Sequence, residues 1–267
     1  MLIDTHCHIF FPEYDADRTD VIARAQNAGV GKMIVVGTDI VSSEKAVALA
    51  EQYPFIFATV GLHPHEAKTM DDALLRELER LSVHPKVVAI GETGLDFFYN
   101  RSEVAVQRHA FSAQIALAQK RRLPLVIHIR DAWDAAFDIL GRKEGADYFK
   151  EIGSVLHCFT GDKAIASRAT AMGLYVSFSG IITFSKTEAL KEAATLVDPH
   201  FLLIETDAPF LAPQGFRGKR NEPAYIATTA KQVAALRNIS IENLAEITTE
   251  NANRLFRLHA TPPHLPL

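Results

Sequence analysis

Eight short apolar runs recur along the chain, and the segments between them have apolar positions at helical spacing. This alternation predicts βα units and a parallel sheet, because parallel strands need a crossover that a helix usually supplies. The predicted strands are Leu2–Thr5, Lys32–Gly37, Ile56–Val60, Val87–Ile90, Leu125–Ile127, Ser154–Leu156, Leu174–Phe178 and Phe201–Ile204. Helices are expected over residues 18–28, 42–53, 71–83, 103–121, 132–143, 163–172, 186–196, 223–237 and 241–257. Eight strands predict a closed α/β fold, the (β/α)8 TIM-type barrel.

The length of the chain is consistent with one barrel domain. It has 267 residues, and such barrels commonly take about 200–250 residues. We predict a barrel over residues 1–258 and a proline-rich tail over residues 259–267. An open, doubly wound sheet is the alternative, but such a sheet is expected to have a glycine-rich phosphate loop after its first strand. Here that strand runs into His6-Cys7-His8.

Composition excludes several classes of protein. With 48% hydrophobic and 22% charged residues the chain is not predominantly disordered. No apolar run reaches the roughly 18–20 residues of a membrane helix, and the N-terminus lacks a signal-peptide pattern. Two cysteines are too few for a disulfide framework, which is typical of a reducing compartment, so we expect a cytoplasmic protein. Because no apolar run is long enough to span a membrane, we expect no membrane partner. The net charge of −4 predicts that any anionic substrate is held locally.

The ends of the predicted strands carry the polar residues. In barrel enzymes the active site forms at the carboxyl ends of the strands. Six strands deliver residues of metal-ligand type to this rim: His6 and His8, His63, Glu92, His128, His157, and Glu205 with Asp207. Residues two apart on a strand share a face, so His6 and His8 can reach one ion while Cys7 points into the core. By the same argument Cys158 diverges from His157.

Seven stretches carry a resemblance to a known family. They are Met1–Phe10 (MLIDTHCHIF), Gly61–His65 (GLHPH), Val88–Phe97 (VAIGETGLDF), Val126–Arg130 (VIHIR), Val155–Gly161 (VLHCFTG), Leu203–Leu211 (LIETDAPFL) and Arg217–Tyr225 (RGKRNEPAY). These stretches resemble the TatD family of metal-dependent deoxyribonucleases, a branch of the amidohydrolase-like superfamily, over nearly the whole chain. The sequence departs from many relatives at Ile9-Phe10-Phe11, where they continue with leucine and a carboxylate. This departure alters the substrate-facing surface of the first loop.

The resemblance implies a TIM-type barrel with up to two divalent ions. It places His6, His8, Glu92 and Asp207 on one ion, and Glu92, His128 and His157 on the other, with Glu92 as the bridge. Mixed imidazole and carboxylate ligands independently favour Zn²⁺ or Mn²⁺, with Mg²⁺ as a weaker occupant. The implied reaction is hydrolysis of DNA phosphodiester bonds, with Glu92 and Asp207 as the catalytic carboxylates. Asp207 would orient the attacking water or accept its proton.

Two residues near the predicted ligands are expected to contact phosphoryl oxygens, namely His63 and Arg130. The alternatives are that His63 caps the turn before Pro64, and that Arg130 pairs with Asp131 or Asp134.

Two carboxylates precede predicted ligands by two residues and so share their faces. Glu205 precedes Asp207 and Asp4 precedes His6. We expect each to orient a ligand. The alternative for both is a carboxylate paired within the barrel core.

A basic loop, Arg217-Gly218-Lys219-Arg220, follows the eighth strand and therefore opens on the catalytic face. We expect Arg217 and Lys219 to bind substrate phosphates; a solvated surface loop is the alternative. A patch this small neutralises few phosphates, which favours short or single-stranded DNA ends and exonuclease action. The aromatic run from Phe97 to Tyr99 either stacks on a base or packs within its loop.

Two other functions compete with a deoxyribonuclease. One is a different amidohydrolase-like enzyme acting on an aminoacyl-tRNA ester, an amide or a lactone. Such relatives often carry a carboxylated lysine on strand four, where this chain has Glu92, which favours the deoxyribonuclease branch. The other is a non-catalytic metal-binding protein, against which the complete ligand set argues. No obligate protein partner is expected.

Overall fold

Eight parallel strands form one sheet in chain order, as predicted. The computed structural model describes residues 1–258, apart from the side chains of residues 143–146. The predicted tail, residues 259–267, lies outside the described residues. The strands are β1 (Leu2–Cys7), β2 (Val30–Val36), β3 (Ile56–Val60), β4 (Val87–Asp96), β5 (Leu125–Arg130), β6 (Ser154–Leu156), β7 (Leu174–Phe178) and β8 (Leu202–Ile204).

The barrel closes between β1 and the segment that follows β8. Cys7 and Ala208 form a parallel bridge there. The amide of Asp207 donates to the carbonyl of His6 at 2.9 Å, and the amide of His8 donates to the carbonyl of Ala208 at 2.7 Å. The predicted (β/α)8 barrel is therefore confirmed.

Helices connect the strands on the outside of the barrel. They are α1 (Arg18–Asn27), α2 (Ile40–Gln52), α3 (Asp72–Leu81), α4 (Val104–Arg121), α5 (Trp133–Leu140), α6 (Lys143–Ile152), α7 (Lys163–Ala171), α8 (Glu188–Leu196), α9 (Ile226–Leu236) and α10 (Ile241–Phe256). Within residues 1–258, none of these helices combines the length and the apolarity that crossing a lipid bilayer requires.

The sequence reading missed α6. The predicted helix over 132–143 instead ends at Leu140, where the amide of Gly141 donates to the carbonyl of Phe137 at 2.8 Å. A second helix follows, and it buries Phe149 and Ile152 against the barrel. Its remaining residues are mostly charged or small, so its apolar periodicity is weak in the sequence.

Three strands extend further at their carboxyl ends than predicted, and the extra residues include polar ones. β4 continues past Ile90 to Asp96, because Thr93 through Asp96 pair with Ile127 through Arg130 of β5. β1 likewise reaches Cys7 and β5 reaches Arg130. The polar residues that hydropathy assigned to strand ends therefore lie within strands or directly after them, so a rigid backbone positions them.

The apolar core has two parts. A small cluster fills the barrel near the amino ends of its strands, and its members include Ile3, Ile34, Val88, Val126, Leu203, Leu255 and Phe256. The larger cluster lies between the barrel and the helices, and it contains Cys7, which is fully buried as predicted. The opposite end of the barrel, at the carboxyl ends of the strands, is left to polar side chains.

Candidate metal centre

Glu92 lies at the centre of the polar end of the barrel. Its carboxylate is buried, and its two oxygens face different groups of histidines. Oε2 lies 3.4 Å from His6 Nε2 and 3.8 Å from His8 Nε2. Oε1 faces three ring nitrogens: His157 Nε2 at 2.9 Å, His128 Nδ1 at 3.2 Å and His63 Nε2 at 3.3 Å. One carboxylate thus joins two separate sets of donor atoms.

The backbone of β4 brings Glu92 close to the neighbouring strands. Gly94 follows two residues later with φ +141°, and a Cβ atom built there would lie 2.0 Å from the carbonyl oxygen of His128. Only glycine permits this approach of β4 to β5. The same approach holds the Glu92 carboxylate against the His128 ring.

The first set of donors comes from β1 and the segment after β8. His6 Nε2 and His8 Nε2 lie 3.1 Å apart, as their shared strand face predicts. Asp207 Oδ1 lies 3.6 Å from each of them. Asp207 adopts φ +56°, a left-handed conformation that aspartate tolerates better than most residues. This backbone turn points its carboxylate at the two imidazoles.

His8 is held by a hydrogen bond behind its ring. Nδ1 lies 2.7 Å from the carbonyl oxygen of Val36. Because a carbonyl only accepts, Nδ1 carries a proton, and in the neutral ring Nε2 then presents its lone pair toward Glu92 and Asp207. The His6 ring stacks on His157 with centroids 3.9 Å apart.

In the second set, a carboxylate stands behind each of two imidazoles. His128 Nε2 lies 3.2 Å from Asp96 Oδ2, and His157 Nδ1 lies 3.4 Å from Glu205 Oε1. Carboxylates in this position commonly orient metal-binding histidines and make them more basic. Asp96 Oδ2 also lies 2.9 Å from His65 Nε2.

Asp96 and His65 are site residues that the sequence reading did not single out. Asp96 lies four residues after Glu92 on one strand, and His65 lies two residues after His63. The even spacing places Asp96 on the face of Glu92, which could have drawn attention to it. Both residues lie inside stretches that carry the family resemblance.

The two carboxylates expected to orient ligands contact different parts of the centre. Glu205 lies beside the His157 ring and accepts a hydrogen bond from the amide of Cys158 at 2.7 Å. Asp4 accepts the backbone amides of His6 at 3.3 Å and Thr206 at 2.9 Å, not an imidazole. Asp4 therefore ties β1 to the segment after β8, and burial raises its pKa to about 7. Asp4 thus contacts the backbone of His6, and it is also paired within the barrel core, which is the alternative that the sequence left open.

The buried carboxylates set the charge balance of the centre. Burial opposes ionisation of Glu92, but the charge of His157 and hydrogen bonds from His128 and His157 hold its pKa well below the usual range. Burial likewise opposes protonation of His157, yet the nearby Glu92 and Glu205 raise its pKa. The buried negative charge of the ionised carboxylates is thus stabilised by positive charge nearby. A divalent cation can supply that charge, with release of the imidazole protons.

The donor set fits metal ions in both chemistry and spacing. Donor atoms about 2.0–2.2 Å from one ion lie roughly 3–3.6 Å from each other. The spacings given above for both sets lie close to this range. Among the described residues, two groups that could hold an ion share Glu92, namely His6 with His8, and His63 with His128. A third group consists of His6, His157 and Glu205.

His63 caps the turn before Pro64, which is the alternative that the sequence left open for it, and its ring also faces the centre. The amide of His65 donates to its Nδ1 at 3.1 Å, so it caps a short 3-10 helix that begins at Pro64. In the neutral ring this leaves the proton on Nε2, which faces Glu92. Burial lowers the pKa of His63 to about 4. His63 is therefore a neutral hydrogen-bond donor at the edge of the centre.

Arg130 does not form the ion pair considered as its alternative role. Its guanidinium stacks on Phe98 at 4.1 Å and on Tyr99 at 4.8 Å from the ring centroids. Asp134 instead contacts Arg168 at 3.4 Å. Arg130 is exposed beside the centre, where its charge is accessible to solvent and solutes.

The basic loop divides into two parts. Arg217 and Lys219 are exposed, and the Arg217 guanidinium lies 4.0 Å from the ring centroid of Phe184. Arg220 instead binds Asp17 at 2.7 Å and lies over the ring of Tyr14 at 4.4 Å. Arg220 therefore differs from the two cations that are expected to bind phosphate, because an intramolecular carboxylate already holds it.

A parallel (β/α)8 barrel with a histidine-rich, carboxylate-bridged centre at the carboxyl ends of its strands is the architecture of a metal-dependent hydrolase. The comparison with protein families identifies which one. The sequence model of the TatD related DNase family matches residues 3–257, and the chain belongs to that family. The predicted resemblance to this family and the prediction of a metal-dependent hydrolase are thereby confirmed.

Relatives of the chain cover its whole barrel. It is 44% identical over 259 residues to the "Uncharacterized metal-dependent hydrolase YabD" of Bacillus subtilis, covering 97% of this chain and 100% of that protein. It is 38% identical over 263 residues to the "3'-5' ssDNA/RNA exonuclease TatD" of Erwinia tasmaniensis, covering 96% and 100%. The crystal structure of the TatD homologue YJJV of Escherichia coli superposes with a TM-score of 0.89 at 32% identity, covering 96% of this chain and 98% of that one.

Proposed function

We propose that the protein is a two-metal phosphodiesterase that removes nucleotides from the ends of single-stranded DNA. The observation that carries the proposal is the placement of Glu92, whose two oxygens face separate sets of donors. A carboxylate between two ions about 3.5–4 Å apart is typical of phosphatases and nucleases. The name of the Erwinia tasmaniensis relative, an exonuclease on single-stranded DNA and RNA, supports the substrate class.

The ligands follow from which oxygen of Glu92 each side chain faces. His6, His8 and Asp207 would share one ion with Oε2. His128 and His157 would share the other with Oε1. This donor chemistry favours Zn²⁺ or Mn²⁺, with Mg²⁺ also able to bind more weakly.

The residues of the chain divide the work of hydrolysis. When bound, the two ions supply activation of a water molecule and neutralisation of phosphoryl charge. Asp207 is 13% exposed at the mouth of the centre, and although burial opposes its ionisation, the neighbouring His8 and His6 imidazoles lower its pKa. It therefore stays ionised and accepts the proton of the attacking water. His63, whose Nε2 proton faces Glu92, would donate a hydrogen bond to a non-bridging phosphoryl oxygen of the bound substrate.

Surface charge supports a short substrate over a long duplex. Arg217, Lys219 and Arg130 are exposed cations on the catalytic face, and we assign them contacts to substrate phosphates. So few contacts favour a strand end over a long duplex. A cytoplasmic location remains a prediction, which the two free thiols of Cys7 and Cys158 support.

A metal and activity assay tests the function. Protein purified without chelator is expected to contain up to two divalent ions and to shorten a labelled single-stranded oligonucleotide. Glu92→Gln should lower both metal content and turnover, whereas Glu246→Gln, the same change at an exposed site on α10, should alter neither. Full activity in Glu92→Gln would exclude the bridge. Turnover of a lactone or an aminoacyl-tRNA ester without oligonucleotide hydrolysis would assign a different hydrolase.

A further inference from the structure

Three aromatic side chains are half exposed or more within residues 1–258, and all three border the metal centre. Phe98 is 56% exposed, and Tyr99 and Phe210 are each 50% exposed. The other large apolar side chains that are strongly exposed there are aliphatic: Met1, Val41, Val83, Val104 and Leu196. Exposed aromatic rings gathered at a site usually mark recognition of a ligand.

Phe98 and Tyr99 form what we call the β4 platform. Their rings meet edge to face with centroids 4.9 Å apart. The amide of Tyr99 donates to Asp96 Oδ1 at 2.9 Å, and its ring lies 5.4 Å from that of His65. Since Asp96 also contacts His128, the platform is fixed to the second set of imidazoles.

Phe210 and Phe11 form the β8 platform on the other half of the centre. Their ring centroids lie 6.0 Å apart. Phe11 stacks on His8 at 5.0 Å, and the amide of Phe210 donates to the carbonyl of Asp207 at 2.9 Å. This platform is therefore fixed to the first set of donors.

Positive charge accompanies the aromatic rings. The guanidinium of Arg130 lies over both rings of the β4 platform, and that of Arg101 lies 5.6 Å from the Tyr99 ring centroid. Stacking surfaces next to cations bind single-stranded nucleic acid, whose bases have π faces and whose phosphates carry charge. A base held in a duplex cannot offer its face to a side chain.

We propose that the two platforms stack on the unpaired bases of the two nucleotides that flank the scissile phosphate. The phosphate lies between the two halves of the centre, and each platform borders one half. The enzyme thereby selects single-stranded ends for their bases as well as for their backbone. This inference rests on the proposed phosphodiesterase function.

Abasic oligonucleotides test the inference, because they keep the phosphates and lose the stacking faces. Three single-stranded oligonucleotides are compared: one intact, one with tetrahydrofuran abasic residues at the two terminal nucleotides of both ends, and one with abasic residues only at its centre. The removal of the first nucleotide is measured. We expect KM for the terminally abasic strand to rise roughly 5- to 100-fold, and the central substitution to have little effect.

Variants assign the effect to the platforms. Phe210→Leu and the double change Phe98→Leu with Tyr99→Leu keep apolar bulk and remove the π faces. They should raise KM for the intact strand toward the value for the abasic strand, and leave the abasic strand unchanged. Phe210→Trp should restore discrimination. Leu196→Ala, an exposed apolar change at the far end of α8, is the control.

Two results would overturn the inference while leaving the phosphodiesterase in place. One is equal KM for intact and terminally abasic strands in the parent. This result is expected if the platforms bind a protein partner and not the bases of the substrate. The other is an equal loss on both strands in the leucine variants. A parent that hydrolyses no oligonucleotide would instead refute the phosphodiesterase, and the inference would fall with it.

Discussion

Glu205 lies behind His157: its Oε1 is 3.4 Å from His157 Nδ1, while His157 Nε2 lies 2.9 Å from Glu92 on the other side of the ring. The imidazole is thus held between two buried carboxylates, one on β4 and one directly after β8. This arrangement aims Nε2 at one oxygen of Glu92 and assigns Glu205 to one half of the centre only.

We therefore expect Glu205→Gln to lower the affinity for one ion and to leave the affinity for the other unchanged. Loss of an orienting carboxylate typically lowers metal affinity 10- to 100-fold. Titration of the protein with a competing chelator should show one ion that is bound more weakly and one that is bound as tightly as in the parent. Equal weakening of both ions, or a fall in melting temperature at unchanged affinity, would contradict an orienting role.

Cys7 and His8 should have opposite effects when changed, because they face opposite sides of β1. Cys7→Ser places a hydroxyl in the apolar layer between barrel and helices and should cost about 1–3 kcal/mol of unfolding free energy, with metal content intact. His8→Ala should lose metal. Urea unfolding and metal analysis measure both, and Cys7→Ala controls for the lost sulfur. Metal loss in Cys7→Ser would show that the strand faces are assigned wrongly.

The cations of the basic loop should separate by function. Replacing Arg217 and Lys219 by alanine should raise KM for oligonucleotides and reduce the slope of log binding constant against log salt by roughly 0.7 per lost contact. Hydrolysis of a small, singly charged phosphodiester should change much less. Arg220→Ala should instead lower stability, since Arg220 binds Asp17. Unchanged KM and slope in the double variant would make the loop structural.

The contact between Asp17 and Arg220 should contribute to the pH dependence of the free energy of unfolding at acid pH. Hydrogen bonding to Arg220 and Arg24 lowers the pKa of Asp17 from 3.8 to about 2 in the folded protein. Its stabilising contribution is therefore present above pH 3.8 and is lost as the pH falls toward about 2. Asp17→Asn should reduce the pH dependence of unfolding free energy in that window. Asp20→Asn, an exposed change on the same helix, is the control, and identical curves for Asp17→Asn and the parent would refute the contribution.

Local rules of the sequence sufficed to predict the barrel and to place most of the polar side chains of the centre at one rim, although not Asp96 and His65. Eight apolar runs alternating with helical segments predict parallel strands, and parallel strands bring their carboxyl ends to one rim. The two-residue spacing of His6 and His8 predicts a shared face, because side chains alternate along a strand. Both rules depend only on neighbours in the chain, so the printed sequence determines them.

Tertiary structure alone decided which side chains meet. Glu205 contacts His157 and not its sequence neighbour Asp207, and Arg220 binds Asp17 from the opposite end of the chain. The β4–β5 register carries Asp96 to His128, although hydropathy ended that strand at Ile90. Such contacts depend on the stagger between strands and the path of distant loops. No local pattern encodes these, because they are set when the whole barrel closes.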